Sequence, residues 1–471
     1  MGIRTAQGRE LKPAHKTVAS VLFLWLIFII PLSSSPASEQ RLLLKNAKIY
    51  TMGEPGVLEK GMILVKDGKI EQVGREISAP PDARSLDLTG KTVIPGLVCA
   101  TSSLFLHERD LKHAGEEEPD ANILGGVDYF DRSIPEILKH GVTTVYISPV
   151  SFRSTGGLGA VVKLNSQEKG TIQILKDHAG LSFRLERLED KKTSNLLRLT
   201  QYHRIRDQFV QAREYRKEWQ DYEKKLDEYE AEKKKQEEKK QEPKMKPPAA
   251  KEPEKPKKDE AKELILQAMD KKIPVRFIVH RPDSILQALG LGKEFGLDII
   301  LEGGEDWPFV LSELEKSSTP LISSPLLDYG KFMIPGGERG YAAGLLKVGQ
   351  NELFYSDEES LAGMKGEPDA WAKLARSKVP FALIPPDNFP LSARFMRLYA
   401  SILSSLGLSL ESALGAVTSE PAKILGVADR VGTLEKEKDA DFVVLDGEPL
   451  NSLSAVDMVF VDGRAVWKRK P

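Results

Sequence analysis

DADFVVLDGEPLNSLSAVDMVFVDGRAVWK, residues 439–468, closes the chain with two strand-like runs separated by turn residues. DADFVVLDGE and VDMVFVDGRAVWK are rich in Val and Phe, and Asp462-Gly463 suits a tight hairpin that needs positive φ. The opening of the chain has the same texture: RLLLKNAKIYT at 41–51, GMILVKDGKIEQVG at 61–74 with a turn at Lys66-Asp67-Gly68-Lys69, and ARSLDLTGKTVIPGLV at 83–98. Strand-rich ends around unlike material predict one small β-sandwich built from both termini, with the middle inserted into it.

That middle alternates helical and β-branched runs. SIPEILKHG precedes VTTVYISP, KKIPVRFIVH precedes SILQALGLGKEFG, and LDIILEGG precedes PFVLSELEKSS and TPLISSP. Repeated units of this kind build a parallel sheet, and the stretch is about as long as a complete eight-fold barrel. The fold expected is therefore α/β: a TIM-like (β/α)8 barrel inserted into a β-sandwich. Domain limits follow as 39–97 and 430–471 for the sandwich, 98–200 and 261–429 for the barrel, and 201–260 for a charged insertion.

The insertion carries Ile205, Phe209, Ala212, Trp219, Tyr222, Leu226 and Tyr229 at three- and four-residue steps among Lys and Glu, then runs into KKKQEEKKQEPKMKPPAAKEPEKPKKDE. One apolar stripe on a highly charged helix predicts an exposed, coiled-coil-like arm followed by a tether, either solvated or docking a partner in the envelope.

Among 471 residues the formal net charge is −1, which gives no reason to expect nucleic acid as a partner. The single cysteine, Cys99, excludes internal disulfides and zinc sites with two or more Cys ligands. At the start, Arg4, Arg9, Lys12 and Lys16 precede the apolar run VASVLFLWLIFIIPL at 18–32 and the small residues SSSPAS. This is the pattern of a signal peptide (1–38) cleaved near Ala37 or Ser38, with export to the periplasm or the extracellular space; an N-terminal membrane anchor is the alternative.

Two stretches carry a family likeness. VIPGLVCATSSL at 93–104 resembles the amidohydrolase superfamily segment leading from the small β domain into the first barrel strand, where the family reads V-I-P-G-L-I-D-x-H-x-H. ALGAVTSEPAKILGVADRVGTLEKEKDADFVVLDGEPL at 413–450 is similar to that superfamily's closing segment. GVTTVYISP at 141–149 and GGLGAVVKL at 156–164 resemble the imidazolonepropionase-related branch. The resemblance implies metal-assisted hydrolysis of non-peptide C–N bonds, with a zinc-type ion held by histidines and a carboxylate at the C-terminal ends of barrel strands.

On the family pattern the H-x-H positions fall on Thr101 and Ser103, poor zinc ligands beside imidazole, and a further histidine position falls on Gly303. His280 lies where the family places a ligand, and Asp387 is the candidate for the catalytic aspartate. Glu302, Glu305 and Asp306 are the carboxylates near His280. Cys99 replaces the usual Asp and reads as a packing residue. Lys163 reads as an ordinary strand-end lysine, although some relatives bridge two metals with a carboxylated lysine. His107 and His113 stand in an acidic loop, His140 at a helix end, His203 in the charged helix, and His15 in the leader; His178 has no evident partner.

Three functions follow. The first is a pseudoenzyme without stoichiometric metal, binding a small molecule in the barrel mouth or assisting an active paralogue. The second is a hydrolase with a reduced single-metal site, and the third an envelope interaction protein that uses the charged helix.

Overall fold

The two chain ends meet through a direct strand pairing. In the computed structural model, β14 (Phe442–Leu445) lies antiparallel to β5 (Thr92–Pro95), with Val443 opposite Ile94 and Val444 opposite Val93. The structure describes residues 41–78, 80–102, 104–105, 119–149, 154–165, 172–186, 195–239, 251–304, 306–324, 370–385, 391–405 and 407–470. Around that pairing, β15 (Val456–Val461) and β16 (Arg464–Lys468) extend one side. On the other side stand β1 (Arg41–Tyr50), β2 (Val57–Lys66) and β3 (Lys69–Gly74), with β4 (Arg84–Asp87) on β1. These eight strands wrap one apolar cluster that includes Leu44, Ile49, Ile63, Ile70, Val93, Phe442, Val444 and Phe460. Phe442 and Phe460 stack across the pair with ring centroids 4.5 Å apart.

The middle forms a second eight-stranded sheet in simple chain order. Its strands are β6 (Leu97–Ser102), β7 (Val142–Ile147), β8 (Thr155–Leu164), β9 (Ile172–Arg184), β10 (Val275–Val279), β11 (Ile299–Gly303), β12 (Leu321–Ser323) and β13 (Phe381–Leu383). The sheet is nearly closed, with β13 returning beside β6. One strand departs from the all-parallel expectation: β8, carrying GGLGAVVKL, runs antiparallel to both β7 and β9. The connections on either side of it hold too few residues for a crossover helix, so the strand must return in the opposite sense.

Parity sorts side chains along the barrel strands. Leu181, Phe183, Val275, Phe277, Val279 and Leu301 face the main outer core, whereas Ala100, Ile300, Ile322, Ala382 and Ile384 form a separate cluster in the lumen. Near the base of the lumen, Val98, Tyr146, Val161 and Ala179 pack on Ala422 and Leu425 of a short helix, Ser419–Leu425, and on Val427 and Val431 after it.

The charged helix begins before residue 201. It spans Asn195–Lys239 between β9 and β10, and its first turns belong to the barrel: Ile205, Phe209 and Ala212 are fully buried in the main core. Phe209 contacts both Phe183 and Phe295. From Trp219 onward the stripe is only half-buried, and residues 251–259 run back along it, with Lys255 over the Trp219 ring and the Asp259 N–H donating to the Tyr215 hydroxyl. The arm therefore divides into a barrel helix and a projection; residues 240–250 lie outside the described residues. Ile205→Val is expected to cost about 1 kcal/mol in urea melts, while Tyr229→Ala stays within about 0.5 kcal/mol.

Candidate functional site: the barrel mouth

Among the described residues, the lumen beneath the C-terminal strand ends is occupied by a buried ion pair. Arg276 on β10 is fully buried, and its Nε and Nη2 donate to Glu302 Oε2 on β11 at 3.1 and 2.7 Å. Nη2 also donates to the Ala100 carbonyl on β6 at 2.9 Å, and the guanidinium lies 3.8 Å from the centroid of the Tyr146 ring on β7. Three other strands thus touch one cation, which crosses the lumen. Two glycines make room for it. A Cβ at Gly159 would stand 2.0 Å from the Tyr146 hydroxyl, and one at Gly180 would stand 2.7 Å from Arg276 Cδ.

Glu302 is fixed from its other side as well. Thr101 Oγ1 donates to Glu302 Oε1 at 2.7 Å. The β6–β7 register shifts between Cys99 and Ser102, and this irregularity accompanies a Thr101 hydroxyl that reaches into the lumen. Arg184, at the end of β9, is also buried; burial lowers its pKa, while the nearby Glu302 and Glu186 oppose that shift. Glu186 Oε1 accepts from the backbone N–H groups of His280 and Arg281, at the start of the helix Pro282–Phe295.

Of the residues singled out from sequence, Thr101, Glu302, Gly303 and His280 reach the mouth. Gly303 has φ +90°, and a Cβ there would lie 2.5 Å from the Val279 carbonyl oxygen and 3.0 Å from the His280 ring. His280 follows β10 and is half-buried. Ser103 and Asp387 lie outside the described residues, as do Glu305, His107 and His113. Cys99 packs in the outer core, its Sγ donating to the Thr101 carbonyl at 2.9 Å, and burial pushes its thiol pKa up to about 12.

Lys163 is not an ordinary strand-end lysine. Because β8 is antiparallel, its C-terminal end lies at the base of the barrel, where Lys163 pairs in register with Thr144. There it is fully buried against Asp439, Asp441 at 3.0 Å and Asp462 at 2.7 Å, all from the end-sheet and its approach. That position, opposite the mouth, removes any part in a metal bridge there. His140 is half-buried, and burial lowers its pKa, with Lys139 and Arg394 adding to the effect. His178 and His203 are exposed, and His178 lies 3.9 Å from Asp177.

Sequence reasoning passed over Arg276, Arg184 and Tyr146. The available signal was parity: Arg276 sits in VRFIV and Glu302 in IILEG, each a lone charge in an apolar strand, on adjacent strands and with opposite sign.

A divalent ion does not fit the described residues of this mouth. Among them no three His, Cys, Asp or Glu side chains converge, the central carboxylate is already engaged by Arg276 and Thr101, and a second guanidinium stands nearby.

Fold and mouth together define a β/α-barrel protein with a composite end-sheet. The profile of the Amidohydrolase family matches residues 382–466. The chain is 39% identical to amidohydrolase tasK of Hapsidospora irregularis over 79 residues, 17% of this chain and 8% of that protein. It is 46% identical to N-acetylglucosamine-6-phosphate deacetylase of Bos taurus over 66 residues, 14% of this chain and 15% of that protein. Imidazolonepropionase of Klebsiella pneumoniae (strain 342) is 37% identical over 75 residues, 15% of this chain and 18% of that protein. These matches cover less than a fifth of each curated relative. An amidohydrolase from Thermotoga maritima MSB8 superimposes with a TM-score of 0.67 at 28% identity, over 91% of this chain and 100% of that one. These likenesses support membership of the amidohydrolase superfamily.

Proposed function

We propose that this chain is an exported, metal-independent member of its superfamily, a pseudoenzyme whose barrel mouth binds a small molecule rather than hydrolysing a C–N bond. One observation carries the reading: Glu302, beside the family's histidine position at 303, accepts hydrogen bonds from Arg276 and Thr101. A carboxylate held by a guanidinium and a hydroxyl is a poor metal ligand, and it forms a preorganised polar floor for a bound molecule. The barrel then serves as a receptor, alone or beside an active paralogue. Export rests on residues 1–38, outside the described residues. Among those described, no helix is long and apolar enough to cross a membrane.

A second reading, a hydrolase with one weakly held ion, draws support from His280, which stands at the end of β10 with its ring against Gly303. A role as an envelope interaction protein draws on the half-buried stripe beyond Trp219.

Metal analysis of the purified mature protein separates the first two readings. After dialysis we expect less than about 0.2 equivalents of zinc, manganese or iron, and no chelator-sensitive hydrolysis of amide or lactam substrates. Stoichiometric metal that disappears in His280→Ala would establish the reduced-site hydrolase instead.

A further inference from the structure

The outer part of the charged helix carries a ladder of rings. Tyr215 meets Trp219 edge-on with centroids 6.1 Å apart, and Trp219 meets Tyr222 in the same way at 6.0 Å. Trp219 and Tyr222, with Leu226 and Tyr229 beyond them, stand outside the barrel core and are half-buried. Residues 251–259, KEPEKPKKD, run back along this ladder and form neither helix nor strand. Their burial repeats every third residue: Pro253, Pro256 and Asp259 are half-buried, and the rest of the segment is exposed. Three residues per turn without internal hydrogen bonds is the geometry of a polyproline II helix, a form that docks on aromatic surfaces. Nine residues in that form reach about 25 Å, close to the roughly 21 Å that an α-helix rises from Tyr215 to Tyr229.

This strap is lightly held. Lys255 Nζ lies 5.7 Å from the centroid of the Trp219 ring, and the Asp259 N–H donates to the Tyr215 hydroxyl at 3.3 Å. Among the described residues, 251–258 make no backbone hydrogen bond. The Lys258 ion pairs, at 3.8 Å, reach Glu260 and Glu263 in the helix that follows and not the ladder. Trp219 Nε1 is buried and has no hydrogen-bond partner among the described residues. The indole is thus dry and without a carbonyl to bond, a cost that a segment in better register would recover. Charge narrows the choice of segment. Residues 218–230 hold six acidic and two basic side chains, which favours lysine on whatever lies along them.

We propose that the Tyr215–Trp219–Tyr222 ladder is a docking site for an extended lysine- and proline-rich segment of a partner protein, with prolines three residues apart. Residues 251–259 fill the site in cis until such a segment displaces them. The proposal concerns the arm alone and is independent of the reading of the barrel mouth.

The test uses the full mature chain and a fluorescein-labelled peptide, KEPEKPKKD, followed by anisotropy. Pro253→Ser combined with Pro256→Ser weakens the strap, and this double variant should bind the peptide saturably. The unaltered chain should bind it at least tenfold more weakly, because its tethered strap competes at an effective concentration on the order of 1 mM. The same peptide with serine at both proline positions should not bind. Trp219→Phe in the double variant keeps a ring but loses the N–H donor, and should weaken the peptide about fivefold. In the double variant the Trp219 indole proton, identified by its loss in Trp219→Phe, should exchange with solvent more slowly once the peptide is bound. No saturable binding to the double variant, equal affinity for the unaltered chain, or equal affinity of the serine peptide would each overturn the proposal.

Discussion

Lys163→Met is expected to destabilise the protein by about 3–5 kcal/mol at pH 8, and by less at pH 5. The ammonium is fully buried and is shared by Asp439, Asp441 and Asp462, with Lys69 and Arg430 also bonded to Asp439. Removing it leaves carboxylates facing one another where the barrel base meets the end-sheet. Burial pushes Asp441 up to about 6, and Asp462 adds to the rise while Lys163 opposes it. Burial also acts to raise Asp439, but bonds from Lys163 and Lys69 and the charge of Arg430 outweigh it and hold that group low.

The signs of the two aspartates are opposite. A raised carboxyl pKa means the fold prefers the protonated form, so the stabilisation from Asp441 is complete below its unfolded value and is lost as pH rises through about 6. Asp439 stabilises above its unfolded value and loses that contribution as pH falls through its lowered one. Without Lys163 both groups gain affinity for protons, so acidification relieves the variant and its deficit shrinks. Urea melts at pH 8 and pH 5 measure this. A deficit independent of pH would show that Lys163 acts through packing and not through charge.

Arg276→Met should cost about 3–5 kcal/mol, because Glu302 would remain buried with only Thr101 donating to it and Arg184 nearby. The pair Arg276→Met with Glu302→Gln should recover most of that loss, since neutral groups of similar volume need no partner charge. The measurement is a double-mutant cycle on chemical denaturation. A coupling energy near zero would mean that the guanidinium is not what holds the carboxylate, and the basis for the proposed function would go with it.

Much of the fold was legible because both of its signals are periodic. Alternation with Asp-Gly turns marked the end strands, and alternating helix and strand marked the barrel. The direction of β8 was not legible, since strand patterns do not encode sense and only the length of the flanking connections limits it. The arm misled because Ile205, Phe209 and Ala212 share one helical stripe with Trp219, Tyr222, Leu226 and Tyr229, although only the first three lie in the core. At the candidate site, the resemblance pointed to Thr101, His280, Glu302 and Gly303, which stand at the strand ends. Arg276 was hidden because the sequence does not say which parity of VRFIV faces the lumen. Lys163 was misread for the same reason as β8: its end of the barrel depends on strand sense.

Gly303 also constrains which side chains this strand end can carry. A histidine at 303 would meet a backbone that holds φ +90°, and its Cβ would press on the Val279 carbonyl oxygen at 2.5 Å. A Gly303→His variant would bear that strain whether or not a ligand is bound. Arg276 would still occupy the lumen, so a second substitution would have to come first or at the same moment. A metal ligand on this strand therefore takes more than one substitution, because both the backbone at 303 and the Arg276 side chain stand in its way.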